Sequence, residues 1–418
     1  MNALSKDTPL FAKIDGKYGV FTLKELYELH NQGHKIRAPV LLNEHGSIGW
    51  VEVEDVVNFG KQKLKRITLA TSRLFVEATE DTIIPAYSSN LFSGREKQIK
   101  IKFKHVNELK VAQDPRNNDT LLLATRIPLK ILEGNQNEWD FGFALGFFLA
   151  EGSIVKRKHS FTKNSLARLK ALARKKGMAL QKYLEFMTDI KLVFLTIGQS
   201  DFERRHIQIL QKHFKFATPY KKRDSNAYVL YSSDLSLIHL IKNYIDGSTS
   251  HDKHVKNEVY NNSRKFLEGI LDGFLAGDGC YVKKGDYFSV RITANYLLYN
   301  DLIFISKGLG YDVHLWKAIY QNGGFANGKF YLSLLLSIVK TYHRHTAFGL
   351  LKERIKSIEN IGEKEAYNLV LKQLYPETDK RAIFNHLYFI AFGFLVSDAV
   401  KTLERGALGS SLPAPVLG

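Results

Sequence analysis

Cysteine is nearly absent from this chain of 418 residues, which contains only Cys280. A single cysteine cannot form an internal disulfide or a cysteine-rich zinc site, and its scarcity suits a reducing compartment. Long apolar runs are also missing, since no stretch approaches the roughly 18 residues that a membrane span requires. The chain does not open with a signal-peptide pattern. We therefore expect a soluble, cytoplasmic protein without a membrane partner.

Acidic residues are fewer than basic ones: the chain has 42 Asp and Glu and 60 Lys and Arg, which gives a formal net charge of +18. This balance favours a polyanionic partner, since Lys and Arg that neutralise phosphates release counterions. The length exceeds that of one typical core and suits two or three domains.

Residues 9 to about 125 are typical of a β-rich region, with short strands punctuated by turns. Apolar residues recur at about every second position from Ile67 to Ala78. One helix is predicted from Thr22 to Asn31, where Thr22 and Glu25 form a capping-box pattern. From Phe141 onward, longer helices alternate with strand pairs, which predicts an α/β region.

Within this second region the order helix, strands, helix, strands, helix occurs twice, which indicates two pseudosymmetric halves. The first half is predicted to contain a helix from Phe141, a strand at 191–197, a helix at 201–214, a strand at 227–232 and a helix at 235–245. The second is predicted to contain a helix from Phe266, a strand at 287–293, a helix at 296–309, strands near Val313 and Tyr331, and a helix at 334–343. An additional basic segment, Lys163 to Lys182, is either a solvated helix face or a phosphate contact.

Each half opens with a similar segment, ALGFFLAEG at 144–152 and LDGFLAGDG at 271–279. Gly146 and Ala150 are four residues apart, so they share one helix face that is almost free of side chains. The same holds for Gly273 and Gly277. Two such faces allow close helix packing, which would bring both helix ends to one point.

Each of these helix ends carries an acid, Glu151 or Asp278, followed by a glycine that we expect at the helix C′ position. Carboxylates at helix C-termini oppose the helix dipole, and two placed together repel, so stability does not explain them. A divalent cation removes the objection, since Mg²⁺ takes oxygen ligands and activates water in phosphodiester hydrolysis. The alternative is an ordinary helix pair with incidental surface acids.

The two segments resemble the paired signature motifs of LAGLIDADG (dodecapeptide) homing endonucleases, and the repeat is similar to that family's single-chain form. The resemblance implies a monomer that cuts both strands of a long double-stranded DNA site, with Mg²⁺ as cofactor and Mn²⁺ as a substitute. It places Glu151 and Asp278 at the catalytic, metal-binding positions, with Gly152 and Gly279 beside them in the metal site. Because the first motif carries Glu, nicking of one strand is the alternative.

The stretch from Lys253 to Glu268 resembles the family's block before the second motif. Lys253 occupies the position of a lysine that supports the hydrolytic water, although the family's proline three residues later is Lys256 here. The resemblance therefore implies a catalytic role for Lys253, and Arg344 or Lys352 is a candidate for its counterpart in the second half.

The resemblance also implies that strands on a saddle-shaped surface read base edges, while basic side chains fix the register on phosphates. The residues predicted to contact DNA are Lys170, Arg174, Lys175, Lys221, Lys222, Arg223, Lys283, Lys284, Arg291 and Lys317. Such a protein would need access to DNA in the nucleoid or nucleus.

The β-rich flanks resemble the Hint-type protein-splicing domain of inteins, with the host protein (the extein) as precursor. Residues 3–10 are similar to the opening block, and 76–82 to the second block, Thr-x-x-His. Residues 366–371 and 385–399 resemble the closing blocks. The corresponding splicing-site positions are Ala3, Thr79, Thr82, His386, Asp398 and Ala399.

These positions depart from the intein pattern where the chemistry is most demanding. Ala3 lacks the nucleophile that starts the acyl shift. Thr82 replaces the histidine and cannot donate as an imidazolium would. Ser397, Asp398 and Ala399 offer no asparagine amide to cyclise. The chain is therefore not expected to splice, through natural decay or through deliberate alanine substitution; an unrelated β-domain is the alternative.

We therefore predict a multi-domain α+β protein. An all-β Hint-like splicing domain is expected from residues 1–135 and 359–400, and a pseudo-two-fold αββαββα LAGLIDADG endonuclease domain from 136–358, with halves at 136–250 and 251–358. Residues 401–418 are expected to be an extein or vector tail. The expected function is metal-dependent double-strand cleavage at a long DNA site. The alternatives are a DNA- or RNA-binding relic or maturase that does not cut, and an intein whose main activity is splicing.

Overall fold

The computed structural model describes residues 2–42, 48–70, 74–87, 101–114, 118–124, 127, 129–156, 163–181, 191–198, 206–214, 216, 219–221, 226–281, 287–293, 296–322, 330–339, 350–372, 388–391 and 394–397. The α-helices of these residues are α1 (Leu23–Asn31), α2 (Gln136–Glu151), α3 (Lys163–Lys175), α4 (His206–Phe214), α5 (Leu235–Tyr244), α6 (Arg264–Asp278) and α7 (Tyr296–Gly308). Short 3₁₀ helices span Val106–Glu108 and Asn257–Asn261. None of the helices in these ranges has the length and apolar character to cross a membrane.

The strands of the same residues are β1 (Leu4–Ser5), β2 (Pro9–Ile14), β3 (Lys17–Thr22), β4 (Ile36–Leu41), β5 (Ile48–Leu69), β6 (Phe75–Ala78), β7 (Ile83–Tyr87), β8 (Ile101–His105), β9 (Thr120–Ala124), β10 (Gly152–Lys156), β11 (Lys191–Gly198), β12 (Tyr220–Lys221), β13 (Ala227–Ser232), β14 (Ile245–Asp246), β15 (His254–Val255), β16 (Gly279–Tyr281), β17 (Tyr287–Thr293), β18 (Asp312–Asn322), β19 (Phe330–Val339), β20 (Leu350–Leu371), β21 (Tyr388–Ala391) and β22 (Phe394–Ser397). The protein is thus a mixed α and β structure.

A large antiparallel sheet joins strands from both ends of the chain. Its order is β20-β1-β6-β5-β4-β2-β21-β22-β9-β7-β8, and β3 pairs with β2. The 22-residue strands β5 and β20 form its longest pairing. The N-terminal region therefore contains one long strand as well as the short ones that we predicted. Because β20, β21 and β22 pair with strands of the N-terminal region, both flanks carry β-type patterns.

The period-two run from Ile67 to Ala78 begins in one strand and ends in another. Its beginning ends β5, its end forms β6, and the two pair antiparallel, with Ile67 opposite Val76. A period-two pattern cannot distinguish one strand from two paired antiparallel strands. In both cases the side chains alternate between the same two faces of the sheet.

Helix α1 begins where the capping box predicts. The Thr22 hydroxyl accepts from the Glu25 backbone N–H at 3.2 Å, and the Glu25 carboxylate accepts from the Thr22 N–H at 2.7 Å. Helix α2 begins in the same way, since Asn135 and Glu138 form a second capping box that the sequence reading overlooked. These reciprocal bonds satisfy amides that have no partner inside the helix.

Two four-stranded antiparallel sheets lie in the middle of the chain, where two similar halves were predicted. The first has the order β10-β11-β13-β12, and the second has the order β16-β17-β19-β18. Helices α2, α4 and α5 accompany the first sheet, and α6 and α7 accompany the second. The additional basic segment begins with α3.

The helix predicted at 334–343 is wrong for the residues that the structure describes. Residues up to Val339 belong to β19, which pairs with β17 on one side and β18 on the other. A short apolar run with β-branched residues suits a buried central strand as well as a helix, and pairing on two sides decides between them. Residues 340–349 lie outside the described residues.

Strand β20 connects the middle region to the large sheet. It pairs with β9 through Leu350–Arg354 and with β5 from Ile355 onward. The domain limit proposed after residue 358 therefore falls inside a strand of the large sheet. The domain limits remain proposals.

Aromatic packing joins the large sheet to the middle region. Phe11 of β2 stacks on Phe304 of α7, with ring centroids 5.6 Å apart, and meets the edge of Tyr260 at 5.2 Å. All three residues are at most 1 % exposed and belong to one continuous apolar core. The middle region and the large sheet thus share buried surface.

Candidate active site

Helices α2 and α6 pack together along faces made of glycine. A Cβ at Gly146 would meet the backbone of Ile270, and one at Gly273 would meet the backbone of Phe143. The close approach predicted from the four-residue spacing is therefore present. Gly142 and Gly269, which the prediction left out, continue the same faces by one turn and also touch the opposite backbone. Backbone contact of this kind requires the absence of side chains on both faces.

The two acids stand at the ends of these helices. Glu151 is the last residue of α2, and Asp278 is the last residue of α6. A Cβ at Gly277, the neighbour of Asp278, would lie 3.1 Å from Cγ of Glu151. The Glu151 side chain therefore crosses the helix interface and lies against the end of α6. The packing brings the two acid-bearing ends together.

The glycines after the acids do not form the left-handed caps that we predicted. Gly152 has φ −88° and ψ 159°, which is extended backbone, and it begins β10 directly. Gly279 likewise begins β16. Glycine is still required at 152, since a Cβ there would meet the ring of Phe148. Each acid is therefore held at a direct helix-to-strand junction.

Lys253 is fully buried beneath this junction. Its ammonium group donates to the backbone carbonyl of Phe148 at 2.8 Å and to that of Gly152 at 2.5 Å. The same nitrogen lies 5.2 Å from the centroid of the Phe148 ring. Lys253 therefore satisfies carbonyls at the C-terminus of α2, where a cation is favoured by the helix dipole. These bonds hold the backbone on either side of Glu151.

The charges of the three groups are electrostatically linked. Burial lowers the pKa of Lys253 to about 8, while the negative charges of Asp278 and Glu151 act in the opposite direction. Asp278 keeps an exposed surface, yet the protein atoms crowded around its carboxyl desolvate it and raise the pKa to about 6. The charge of Lys253 partly opposes that rise. The site thus contains a desolvated carboxyl whose charged form lacks full compensation from the protein.

The donor atoms suit a hard divalent cation. Glu151 and Asp278 offer carboxylate oxygens, which Mg²⁺ and Ca²⁺ prefer. Among the described residues, no group of three or more His, Cys, Asp or Glu side chains is arranged to hold a metal ion. A cation held by this pair would therefore take its remaining ligands from water, from backbone carbonyls or from a bound substrate. The Gly152 carbonyl is already engaged by Lys253, and its role as a ligand, like that of Gly279, stays a prediction.

A second polar cluster surrounds the peptide bond between Asn2 and Ala3. The amide N–H of Ala3 donates to the hydroxyl of Thr79 at 3.0 Å and to that of Thr82 at 3.2 Å. The Thr82 hydroxyl donates to the Ala3 carbonyl at 3.1 Å. On the other side of the bond, Asn368 Nδ2 donates to the Asn2 carbonyl at 2.9 Å. Three buried side chains therefore hold one peptide group.

Asn368 is a residue that the sequence reading missed. It lies in β20, within the segment 366–371 that resembles a closing block, and it is 0 % exposed. The available signal was one asparagine within an otherwise apolar segment that resembles a closing block. Of the remaining splicing-site positions, His386, Asp398 and Ala399 lie outside the described residues.

The residues predicted to contact DNA are only partly described. Lys170, Arg174 and Lys175 are exposed on α3, and Lys221 is exposed at the end of β12. Arg291 lies in β17 and Lys317 in β18, both within the second small sheet. Lys222, Arg223, Lys283 and Lys284 lie outside the described residues, as does Arg344, whereas Lys352 lies in β20.

No protein-family model and no curated protein matches the sequence. Solved structures do match. The crystal structure of an intein from a hyperthermophile is 22% identical, with 30% of this chain and 73% of that chain covered and a TM-score of 0.24. The solution structure of the Pab PolII intein is also 22% identical, with 32% and 71% covered and a TM-score of 0.24.

A second group of matches covers a larger part of the chain. Structures of mesophilic variants from the homing endonuclease I-DmoI are 14% identical, with 49% of this chain and 84% of that chain covered and a TM-score of 0.29. The crystal structure of I-DmoI in complex with DNA and Ca is 13% identical, with the same coverage and a TM-score of 0.30. In its motifs and in the structures that it matches, the chain resembles an intein that carries a LAGLIDADG homing endonuclease.

Proposed function

We propose that this protein is a metal-dependent, site-specific endonuclease of double-stranded DNA. The observation that carries the proposal is the convergence of Glu151 and Asp278 at the ends of two glycine-faced helices, above the buried ammonium of Lys253. Nothing in the stability of a helix pair favours two acids at neighbouring C-termini. A divalent cation gives them a function.

Each residue has a distinct part in this proposal. The carboxylates of Glu151 and Asp278 would hold the cation and orient attacking water, and Lys253 keeps the Glu151 end of α2 in place through its bonds to backbone carbonyls. When bound, Mg²⁺, or Mn²⁺ in its place, would lower the pKa of water and stabilise charge on phosphate oxygens. The exposed basic side chains of α3 and β12 would bind phosphates of the DNA backbone.

The basic surface favours nucleic acid, and the acids favour cleavage over mere binding. A protein that only binds DNA gains nothing from two carboxylates turned toward phosphates, because like charges repel. A catalytically silent DNA-binding relic or an RNA maturase would therefore have no need of this pair.

The direct test is a cleavage assay on DNA in which the host gene is joined across the insertion point, with Mg²⁺ present. The parent protein is expected to linearise this DNA. Asp278→Asn and Glu151→Gln are expected to bind it and leave it intact, because each removes one negative ligand. Glu28→Gln, on the exposed face of α1, has the same charge change as the control and is expected to cut normally. Tight binding by the parent without any cleavage would show that the chain is a binding relic.

A second candidate function, protein splicing, is favoured by the bonds at the Asn2–Ala3 peptide. The hydrogen bonds of Thr79, Thr82 and Asn368 would polarise that peptide, as an acyl shift requires. Ala3 has no side-chain nucleophile, so we propose that the splicing site is assembled but inactive. Restoring a nucleophile at position 3 tests this directly.

A further inference from the structure

Helix α7 carries a buried acid, Asp301, that belongs to neither cluster described above. Asp301 is 5 % exposed, and both of its carboxylate oxygens are engaged. Oδ2 accepts from the backbone N–H of Val255 at 2.9 Å, and Oδ1 accepts from the hydroxyl of Tyr260 at 2.8 Å. One side chain of the second half therefore holds both ends of the segment 255–260.

This segment follows Lys253 almost directly. Val255 lies two residues after it, in β15, and pairs with Ile245 of β14. The backbone N–H of Lys253 donates to the Thr249 carbonyl at 2.9 Å. The backbone from Val255 back to Lys253 therefore joins the segment held by Asp301 to Lys253. The Lys253 ammonium in turn donates to the carbonyls at the end of α2.

The cost of burying this acid argues that it does more than fill space. Burial raises the pKa of Asp301 to about 7, so the charged form is disfavoured where it stands. An apolar residue of similar size would fill the same space without that cost. Asp301 instead bonds two groups on one short segment, which fixes that segment in position and orientation.

We propose that Asp301 is a positioning residue of the nuclease site, which fixes Lys253 and through it the end of α2 that carries Glu151. The inference rests on the proposed endonuclease function and adds to it a link between the two halves. Asp301 lies on the second half, and Glu151 on the first. The geometry of one acid thus depends on a helix of the opposite half.

The first test compares three variants by single-turnover cleavage of saturating DNA, with rates referred to folded protein. Asp301→Ala removes both acceptors, and a misplaced catalytic group lowers the rate on the order of 10- to 100-fold. Asp301→Asn keeps an acceptor for Val255 and is expected to restore most of the rate. Tyr260→Phe removes one of the two bonds and is expected to be intermediate. The Kd for DNA is expected to stay unchanged, because Asp301 is buried.

The second test asks whether Asp301 acts through Lys253. If it does, Asp301→Ala should have little further effect on the cleavage rate in a Lys253→Ala background, since coupled residues are non-additive. Rate losses that multiply fully in the double variant would overturn the proposal. So would a loss of DNA affinity without a change in rate.

The third test does not depend on cleavage. Amide hydrogen exchange at residues 149–153 is expected to be faster in Asp301→Ala than in the parent, and parent-like in Asp301→Asn. If Asp301→Ala does not fold, the comparison of Tyr260→Phe with the parent carries the test. Unchanged exchange at 149–153 would overturn the positioning role even if the parent cuts DNA. If exchange differs between Asp301→Ala and the parent as expected, but the parent never cuts DNA, the endonuclease function alone is refuted.

Discussion

Asn368 donates through Nδ2 to the carbonyl oxygen of Asn2 at 2.9 Å, across 366 positions of sequence. The hydroxyls of Thr79 and Thr82 lie on the amide side of the same peptide group. A donor at the carbonyl stabilises the negative charge that develops there when a nucleophile attacks. The peptide bond before Ala3 is therefore held from both sides, although Ala3 itself cannot attack it.

Replacement of Ala3 by cysteine should make this peptide bond sensitive to thiols. The Ala3→Cys protein is expected to form a thioester between Asn2 and Cys and to release the N-terminal segment when dithiothreitol is added, as mass spectrometry would show. Asn368→Ala in the same background is expected to slow release about 10²-fold, the cost of one lost oxyanion donor. Ala3→Ser, without thiol present, serves as the control. Equal release with and without Asn368 would contradict its assignment.

Enlargement of the glycine faces should destabilise the helix pair. Gly273→Ala places a methyl group against the backbone of Phe143, and overpacking of this kind typically costs about 1 to 3 kcal/mol. Urea unfolding would measure the change, and cleavage is expected to fall because the acids separate. Ala171→Leu, at an exposed position of α3, is the matched enlargement and should leave the midpoint unchanged. A neutral Gly273→Ala would show that the helices are less tightly packed than described.

Metal affinity should weaken as the pH falls through about 6. Burial raises the pKa of Asp278 to about 6, and a carboxyl must lose its proton to bind a cation. Apparent affinity for Mn²⁺ should then fall about tenfold between roughly pH 7 and pH 5, since each pH unit below the pKa reduces the charged fraction about tenfold. Calorimetric titration would measure this. Asp278→Asn should bind weakly at both pH values, and a parent with the same affinity at both would exclude Asp278 as a ligand.

The free energy of unfolding should depend on Asp301 across the range from acid to neutral pH. The folded-state pKa of Asp301 is raised by burial to about 7, above its ordinary value of 3.8. The folded protein therefore holds this proton more tightly, so the contribution is fully present below about pH 4 and is lost as the pH rises through about 7. Urea unfolding at about pH 5 and pH 8 should show a smaller difference for Asp301→Asn than for the parent. An identical difference would assign the pH dependence to other groups.

The sequence was informative where one short pattern determines one contact. The spacing of Gly146 and Gly273 predicted the close helix pair, and Thr22 with Glu25 predicted the start of α1, because each depends on neighbours within a turn or two. The repeat of helices and strands also followed from local periodicity. The acids at 151 and 278 were predicted from the same spacing, and the structure brings their helix ends together.

The remaining features depend on partners that are distant in sequence. Nothing near Asp301 indicates that it bonds Val255, and nothing near Asn2 indicates Asn368. The strand at Leu334 resembled a helix because its pairing with β17 and β18 cannot be read from an apolar run. The extended backbone at Gly152 was missed for a different reason, since the chain enters β10 immediately and leaves no room for a helix cap.

Strand β3 has β2 as its only strand partner among the described residues, and its open side is closed by two asparagines of the 3₁₀ helix at 257–261. Asn257 accepts from the N–H of Val20, and Asn261 accepts from the N–H of Tyr18 and donates to its carbonyl. An uncovered strand edge is a template for pairing with another chain. The 3₁₀ helix at 257–261 therefore covers an edge of the large sheet, and its removal would expose that edge and favour aggregation.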